Sequence, residues 1–328
     1  MRDLVKRYGR RTAVDRLSFT VEGGQAYGFL GPNGAGKSTT MNIMTGCLGP
    51  TEGEVLVDGL SMTEEPEAAK RHIGYLPEQP PLYPDMTVEE YLAFAAALKR
   101  VPARDREGEL ERVEALTMLT GVAGRLIRNL SKGYRQRVGI AQALLGDPEI
   151  VILDEPTVGL DPKQIIEIRA LIRDLTQRHT VILSSHLLAE VQAVCDRILI
   201  IRQGRMVASG TPAELERDLA GERFLQVTLK AGADQGLALL QGIPGAGAAE
   251  LLLGAAEGES AFRLESAGGD LREAVFRACA REGIPLLGLT AGGMTLEDVF
   301  LQLTADDAPE EPPDQPAPED PAGEEEPS

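Results

Sequence analysis

Short runs of valine, isoleucine and leucine alternate along most of the chain with longer stretches in which apolar residues recur every three or four positions. The short runs are typical of strands buried on both faces of a parallel sheet, and the longer stretches predict amphipathic helices. The pattern therefore predicts an α/β fold, in which helices flank a mostly parallel sheet. The predicted strands are 17–21, 25–30, 54–57, 73–76, 150–153, 180–184 and 197–202.

The amphipathic stretches predict the helices of this fold. Residues 88–119 are helical in pattern and lie far in sequence from the glycine-rich loop at 31–39, which indicates a helical subdomain inserted into the α/β core. The predicted helices are 37–45, 88–98, 104–119, 134–145, 163–177 and 187–194.

The pattern changes after about residue 220. Strands are predicted at 224–230, 261–265 and 284–289, helices at 270–281 and 295–303, and a glycine- and alanine-rich loop at 241–258. These elements predict a small α+β domain. We therefore expect a nucleotide-binding domain at 1–220, an accessory domain at 221–305 and a tail at 306–328.

Charge is concentrated at the carboxyl end. The 328 residues carry a net charge of −18, and residues 306–328 hold ten carboxylates, seven prolines and no basic residue. Such a segment cannot bury enough apolar surface to offset its ordering entropy, so we predict a disordered acidic tail; an arm for a basic partner is the alternative reading. The acidic balance argues against general nucleic-acid binding, which needs a cationic surface.

Neither the cysteines nor the apolar runs indicate an extracellular or membrane-embedded chain. Cys47, Cys195 and Cys279 are far apart and lack metal-ligand spacing, which is typical of thiols in a reducing compartment. No apolar run reaches the 18 or so residues of a membrane span, and the first residues are too polar for a signal peptide. We expect a cytoplasmic chain whose membrane role, if any, depends on a partner.

A glycine-rich loop joins the predicted strand 25–30 to the predicted helix 37–45, with the spacing G-x-x-x-x-G-K-S. Glycines let successive backbone N–H groups face phosphate oxygens, and the start of the helix adds a favourable dipole. The lysine can neutralise the β- and γ-phosphates and the serine hydroxyl can ligate Mg²⁺. A chance match in a strand–helix turn is the alternative. The residues predicted to bind ATP are Gly31, Pro32, Asn33, Gly34, Ala35, Gly36, Lys37, Ser38 and Thr39.

Two carboxylates follow the apolar run 150–153. At the end of a buried strand, Asp154 is placed to organise Mg²⁺ together with Ser38, and Glu155 is placed to act as general base toward the attacking water. Taken alone, an apolar run that ends in Asp-Glu is also consistent with an ordinary strand end. The phosphate loop upstream favours the functional interpretation.

The segment LSKGYRQR at residues 130–137 resembles the signature motif, usually LSGGQ, of ATP-binding cassette (ABC) ATPases. Lys132 and Tyr134 depart from the usual motif, whereas Ser131 and Gly133 keep its Ser-x-Gly core. The resemblance implies a P-loop NTPase cassette that works as a head-to-tail homodimer. In that dimer, Ser131 and Gly133 of each copy face the ATP that the other copy holds.

The resemblance assigns roles to four further residues. Tyr8 matches the aromatic residue that stacks on adenine, and Gln79 matches the glutamine that reaches Mg²⁺ and water while it senses the membrane partner. Asp161 lies in the loop that bridges the two sites of the dimer, and His186 matches the histidine that contacts the γ-phosphate. Without the resemblance, Tyr8 is only a surface tyrosine and His186 a structural histidine. Family members generally have a few more residues, which form a first strand before this tyrosine. Only seven residues precede Tyr8 here, so we expect an incomplete edge of the adenine pocket or a misassigned start site.

The signature variant and the phrase MTLEDVF at 294–300 are similar to those of ABC ATPases that serve bacterial type 2 exporters, including drug-resistance, daunorubicin-type and gliding-motility ATPases. Residues 294–300 are equally consistent with an ordinary helix capped by Thr295. The subtype implies an ATP- and Mg²⁺-dependent ATPase held at the inner face of the membrane by a separate permease. In that reading the proline-rich segment 80–84 contacts the permease; taken alone, the segment is equally consistent with an ordinary surface loop. The alternatives are a soluble cassette ATPase of DNA repair or translation, and a nucleotide-binding scaffold without turnover.

Overall fold

The computed structural model describes residues 1–219, 224–252, 258–266, 270–292, 297 and 300. In the first 219 residues the strands are β1 (Arg2–Tyr8), β2 (Arg11–Leu17), β3 (Ala26–Leu30), β4 (Glu52–Glu54), β5 (Leu56–Val57), β6 (Leu60–Ser61), β7 (Ile73–Leu76), β8 (Ile150–Leu153), β9 (Thr180–Ser185), β10 (Arg197–Arg202) and β11 (Arg205–Gly210). The helices are α1 (Lys37–Met44), α2 (Pro66–Arg71), α3 (Val88–Leu98), α4 (Arg106–Leu116), α5 (Lys132–Leu144), α6 (Pro162–Leu175), α7 (Leu188–Val194) and α8 (Pro212–Leu219).

The main sheet has the strand order β11-β10-β3-β9-β8-β7. All its neighbours are parallel except β11, which pairs antiparallel with β10. Every residue of β3 and β9 is buried because successive side chains enter two separate hydrophobic cores on opposite faces of the sheet. The predicted α/β class is confirmed. The parallel strands bring their carboxyl ends to one edge, where the phosphate loop and the two carboxylates lie.

A second, antiparallel sheet of order β2-β1-β4 lies at the start of the chain. The predicted strand 17–21 is wrong, since only Leu17 belongs to a strand, and β1 and β2 were not predicted. Only two of the seven β1 residues are buried, and charged residues interrupt both strands, so no apolar run marks them. The seven residues that precede Tyr8 are nevertheless enough for the family's first strand, which is present as β1 and pairs with β2 and β4.

The inserted helical subdomain is confirmed and consists of α3, α4 and α5 with two short 3₁₀ helices, Thr120–Val122 and Ile127–Asn129. Helix α3 begins after Thr87, whose side chain accepts a hydrogen bond from Glu90 N while Glu90 caps Thr87 N in return. The predicted helix 104–119 is shorter in the structure because α4 ends at Leu116.

The described residues between 224 and 292 form a four-stranded antiparallel sheet with its own core. Its strand order, β13-β14-β12-β15, and its βαββαβ succession are those of ferredoxin-like folds. The loop predicted at 241–258 is wrong in part, because β13 pairs along β14 there. Small residues kept that strand from showing an apolar run. The elements are β12 (Phe224–Leu229), α9 (Ala233–Gln241), β13 (Ala246–Leu252), β14 (Ser260–Ser266), α10 (Arg272–Glu282) and β15 (Leu286–Gly292).

Two sequence predictions cannot be compared with the structure. The acidic tail 306–328 lies outside the described residues, as does the helix 295–303 apart from residues 297 and 300. Within the described part of the chain, no helix has both the length and the apolar character needed to cross a membrane.

Candidate functional site

A cavity of about 600 Å³ opens at the carboxyl edge of the main sheet. Its walls come from the β1–β2 turn, the loop between β3 and α1, and the segments that follow β7, β8 and β9. The lining residues are Tyr8, Arg11, Ala13, Asn33, Gly34, Gly36, Lys37, Ser38, Thr39, Glu78, Glu155, Val158 and His186.

The phosphate loop forms the floor of this cavity, and two of its glycines are required by its shape. Gly36 caps α1 in the left-handed region, with φ 101°, and a Cβ there would lie 2.5 Å from the Ala13 carbonyl oxygen. A Cβ on Gly31 would lie 2.4 Å from the Ile201 carbonyl oxygen. The loop therefore packs tightly against its neighbours while the first N–H groups of α1 remain available to an anion.

Lys37 is buried at the base of the cavity. Its Nζ donates hydrogen bonds to the carbonyl oxygens of Gly31 at 2.7 Å and Pro32 at 3.2 Å, and it lies 3.6 Å from Glu155 Oε1. Burial lowers the pKa of Lys37, and the nearby Glu155 carboxylate opposes that shift. The ammonium group is thus held inside the loop at the place where phosphate oxygens would need a cation.

Ser38 and Asp154 offer oxygen ligands beside the loop. Ser38 Oγ lies 3.3 Å from Asp154 Oδ1, and Ser184 donates a hydrogen bond of 2.6 Å to the same carboxylate oxygen. Asp154 is only 2% exposed, so this bond fixes its orientation. Hydroxyl and carboxylate oxygens are ligands that Mg²⁺ accepts, and the pair therefore fits the predicted metal site.

Glu155 and His186 face each other across the cavity. His186 Nδ1 lies 3.0 Å from Glu155 Oε2, and Glu155 N donates a 2.8 Å hydrogen bond to Ser184 Oγ. Glu155 adopts a positive φ of 47°, a backbone conformation that few non-glycine residues take. A buried carboxylate with an imidazole partner can accept a proton from a water molecule placed between it and a phosphate.

Tyr8 and Arg11 stand at the cavity rim. The Tyr8 ring is half exposed, with Lys6 Nζ 5.4 Å from its centroid, so part of the ring is open for stacking on a base. Arg11 was not predicted. Its guanidinium lies near Gly34, 3.6 Å from where a Cβ on that glycine would be, which places a second cation beside the phosphate loop.

The segment after β7 puts Glu78 in the cavity lining rather than the predicted Gln79. Both side chains are exposed. Burial lowers the pKa of Lys37, and the Glu78 carboxylate is near enough to oppose that shift weakly. Glu78 was not predicted because the resemblance concerned only the neighbouring glutamine; the role of Gln79 stays a prediction.

Eight predicted site residues do not line the cavity, and five of them lie within two residues of one that does: Gly31, Pro32, Ala35, Gln79 and Asp154. The other three, Ser131, Gly133 and Asp161, lie at the amino ends of α5 and α6. Ser131 caps α5 and accepts a hydrogen bond from Tyr134 N, and Asp161 caps α6 by accepting one from Gln164 N. The two caps are neighbours, since a Cβ on Gly133 would lie 2.6 Å from the Gln164 side chain. Ser131 and Asp161 are exposed, so they are accessible to another molecule.

A glycine loop that leads from a parallel strand into a helix, beside a buried aspartate on a neighbouring strand, defines a P-loop nucleotide-binding ATPase. The ABC transporter family model matches residues 14–158. The chain is 42% identical over 213 residues to an uncharacterized ABC transporter ATP-binding protein, YhcH, of Bacillus subtilis, covering 63% of this chain and 68% of that protein.

Two further relatives extend the likeness. The linearmycin resistance ATP-binding protein LnrL of Bacillus subtilis is 37% identical over 228 residues, covering 69% of this chain and 73% of LnrL. The Nod factor export ATP-binding protein I of Rhizobium etli is 33% identical over 303 residues, covering 92% of each chain. These likenesses show that the chain belongs to the ABC transporter ATP-binding proteins.

Solved structures agree with this assignment. The ATP-binding subunit of an ABC transporter superposes with a TM-score of 0.61 at 32% identity, covering 66% of this chain and 91% of that one. The dimeric structure of MJ0796, a bacterial ABC transporter cassette, superposes with a TM-score of 0.59 at 27% identity, covering 64% of this chain and 97% of that one. The chain is therefore an ATP-hydrolysing subunit of a membrane ABC transporter.

Proposed function

We propose that two copies of this chain close head to tail on two ATP molecules and drive a separate permease that exports its substrate. The observation that carries this proposal is that Lys37, Ser38, Glu155 and His186 line one cavity. Asp154 Oδ1 lies 3.3 Å from the Ser38 hydroxyl of that cavity. Support for export comes from relatives whose names describe linearmycin resistance and Nod factor export.

In this proposal the phosphate loop and Lys37 bind the triphosphate. The backbone N–H groups of residues 31–39 and the positive end of α1 face the phosphate oxygens, and Lys37 compensates charge on the β- and γ-phosphates. Ser38 and Asp154 would hold Mg²⁺, which would screen the phosphate charge, and Gln79 or Glu78 would contribute from the segment after β7. Tyr8 stacks on the adenine, and Arg11 adds a cation at the rim.

Hydrolysis is assigned to Glu155 and His186. Glu155 takes a proton from the attacking water as the water oxygen bonds to the γ-phosphorus and the bond to the β–γ bridging oxygen breaks. His186, 3.0 Å from the Glu155 carboxylate, orients that base and reaches toward the γ-phosphate. Ser184, on β9, hydrogen-bonds Asp154 and the backbone N–H of Glu155, which follow β8, and so holds the carboxyl ends of these two strands together.

The second copy supplies the rest of the site. Ser131, Gly133 and the amino end of α5 are exposed or face α6, away from the cavity of their own protomer, which suits contact with a γ-phosphate held by a partner. Asp161, which is exposed next to them, links the two composite sites. The dimeric MJ0796 cassette supports this arrangement.

Contact with the permease is assigned to the proline-rich segment 80–84 and the helical subdomain. Tyr83 is half exposed and packs edge-on against Tyr91 and obliquely against Phe94, giving a partly apolar surface next to the cavity segment that carries Glu78. Through this contact the chain is held at the cytoplasmic face of the membrane, without a nucleic-acid partner. We also propose that the nucleotide-binding domain ends at residue 220 and the accessory domain at residue 305. The separate hydrophobic core formed by described residues between 225 and 289 supports this division into domains.

Phosphate release by the purified chain tests this function. With Mg²⁺ and ATP, the rate per chain should rise with protein concentration, because each site is completed by a second copy. Lys37→Ala should abolish turnover. A rate per chain that is independent of concentration down to nanomolar protein would contradict the dimeric site, and full activity of the Lys37 variant would contradict the assigned cavity.

A further inference from the structure

A buried carboxylate outside the lining of the nucleotide cavity takes no part in the roles assigned so far. Glu190 is the third residue of α7 and is only 6% exposed, yet it does not line the cavity. Burying a carboxylate is costly unless hydrogen bonds or a cation compensate it. Its partners therefore indicate what it holds in place.

Those partners come from two separate segments. Glu190 Oε2 accepts hydrogen bonds from the Thr157 and Ser185 hydroxyls, the latter at 3.1 Å. The guanidinium of Arg169 on α6 is 4.0 Å from Glu190 Oε1, farther than either hydroxyl. One carboxylate oxygen thus joins the segment after β8 to the last residue of β9.

Each of these segments carries one of the two facing groups of the cavity. Thr157 is two residues beyond Glu155, and Ser185 immediately precedes His186. Ser185 Oγ also accepts a 3.0 Å hydrogen bond from Leu187 N, which closes the turn that presents His186. The Glu190 carboxylate therefore anchors both segments from outside the cavity lining.

We infer that Glu190 is a positioning residue for ATP hydrolysis, because it holds the segments that bear Glu155 and His186 at the separation at which these two groups meet. The inference rests on the proposed roles of Glu155 and His186. Precise placement matters here, since a displacement of about 1 Å in a reacting group can cost about a hundredfold in rate.

Steady-state ATPase kinetics test this role. Glu190→Ala should lower kcat about 10- to 100-fold while the affinity for ATP, measured by titration, changes less than about threefold. Glu190→Gln keeps an acceptor oxygen and should recover most of kcat. The matched control is Glu114→Ala, which removes another buried glutamate, 9% exposed on α4 and outside the cavity, and should leave kcat unchanged.

A double-mutant cycle separates positioning from general destabilisation. If Glu190 acts through His186, Glu190→Ala should cost less than about twofold in kcat once His186 is alanine. Thr157→Val removes only one hydroxyl from the cluster and should lower kcat severalfold, so it carries the test if the Glu190 variant does not fold.

Three results would overturn the inference. They are wild-type kcat in a folded Glu190→Ala protein, wild-type kcat in Thr157→Val, or an equal loss from Glu190→Ala with and without His186. A wild-type chain that hydrolyses no ATP overturns the proposed function and this role with it. An active wild type with unaffected Glu190 variants overturns only the positioning role.

Discussion

Ser184 makes two hydrogen bonds at the centre of the site, and its removal should be costly. The residue is fully buried; its hydroxyl donates to Asp154 Oδ1 at 2.6 Å and accepts from Glu155 N at 2.8 Å. Ser184→Ala removes a bond to a charged group, worth about 1.5–3 kcal/mol, and leaves a buried N–H unpaired, at about 1–3 kcal/mol. Because the site can partly relax, we expect a loss of about 3 kcal/mol.

Ser18→Ala is a matched control for this loss. Ser18 makes the same pair of bonds with Asp3, accepting from its backbone N–H at 2.7 Å and donating to its carboxylate at 3.2 Å, but it is exposed. Water replaces both bonds when the hydroxyl is deleted, so this variant should lose less than about 0.5 kcal/mol.

Thermal unfolding followed by calorimetry measures the difference between the two variants. At roughly 2–4 °C per kcal/mol for a cassette of this size, Ser184→Ala should lower Tm by about 6–12 °C and Ser18→Ala by less than about 2 °C. Equal shifts in the two variants would refute the reasoning, because burial is what distinguishes these hydroxyls. A Ser184 variant with wild-type Tm and wild-type ATPase activity would refute the orienting role as well.

Three further perturbations have defined outcomes. Gly36→Ala places a Cβ against a backbone carbonyl at a positive φ, so ATP affinity measured by titration should fall at least tenfold, and retained affinity would contradict the tight loop. Glu78→Ala should change the Mg²⁺ concentration needed for half-maximal ATPase activity more than Gln79→Ala does; the reverse order would return the role to Gln79. Deletion of residues 306–328 should leave Tm and ATPase activity within about 1 °C and twofold of the full chain, and a larger loss of either would mean that the tail is structural.

The helices and strands that were predictable from the sequence are those in which burial alone determines the pattern of apolar and polar residues. The boundaries of β7, β8, β10 and α3 agree with prediction, since their apolar residues are bounded by polar or turn-forming ones. By contrast β1, β2 and β13 were missed. Their stability comes from pairing with distant or neighbouring strands, and charged or small residues hide that pairing in a single sequence.

The candidate site also contains features that were predictable from the sequence and features that were not. The phosphate loop and the Asp154–Glu155 pair are local motifs, so their spacing was informative. The contact between Glu155 and His186 joins positions 31 residues apart, and a resemblance was needed to anticipate it. The direction in which a side chain points was not predictable. No pattern in the sequence indicates that Glu78 lines the cavity, or that the Thr157 and Ser185 hydroxyls both contact Glu190.

The composite, two-chain site is the central claim, and the Glu155→Gln variant tests it most directly. This change keeps the shape of the side chain but removes the proposed base, so ATP should bind without being hydrolysed and hold the dimer closed. Sedimentation velocity should show a monomer without nucleotide and a dimer with ATP. Ser131→Ala in the same chain should weaken that dimer. A Glu155→Gln protein that stays monomeric at saturating ATP, or that hydrolyses ATP at the wild-type rate, would contradict the claim.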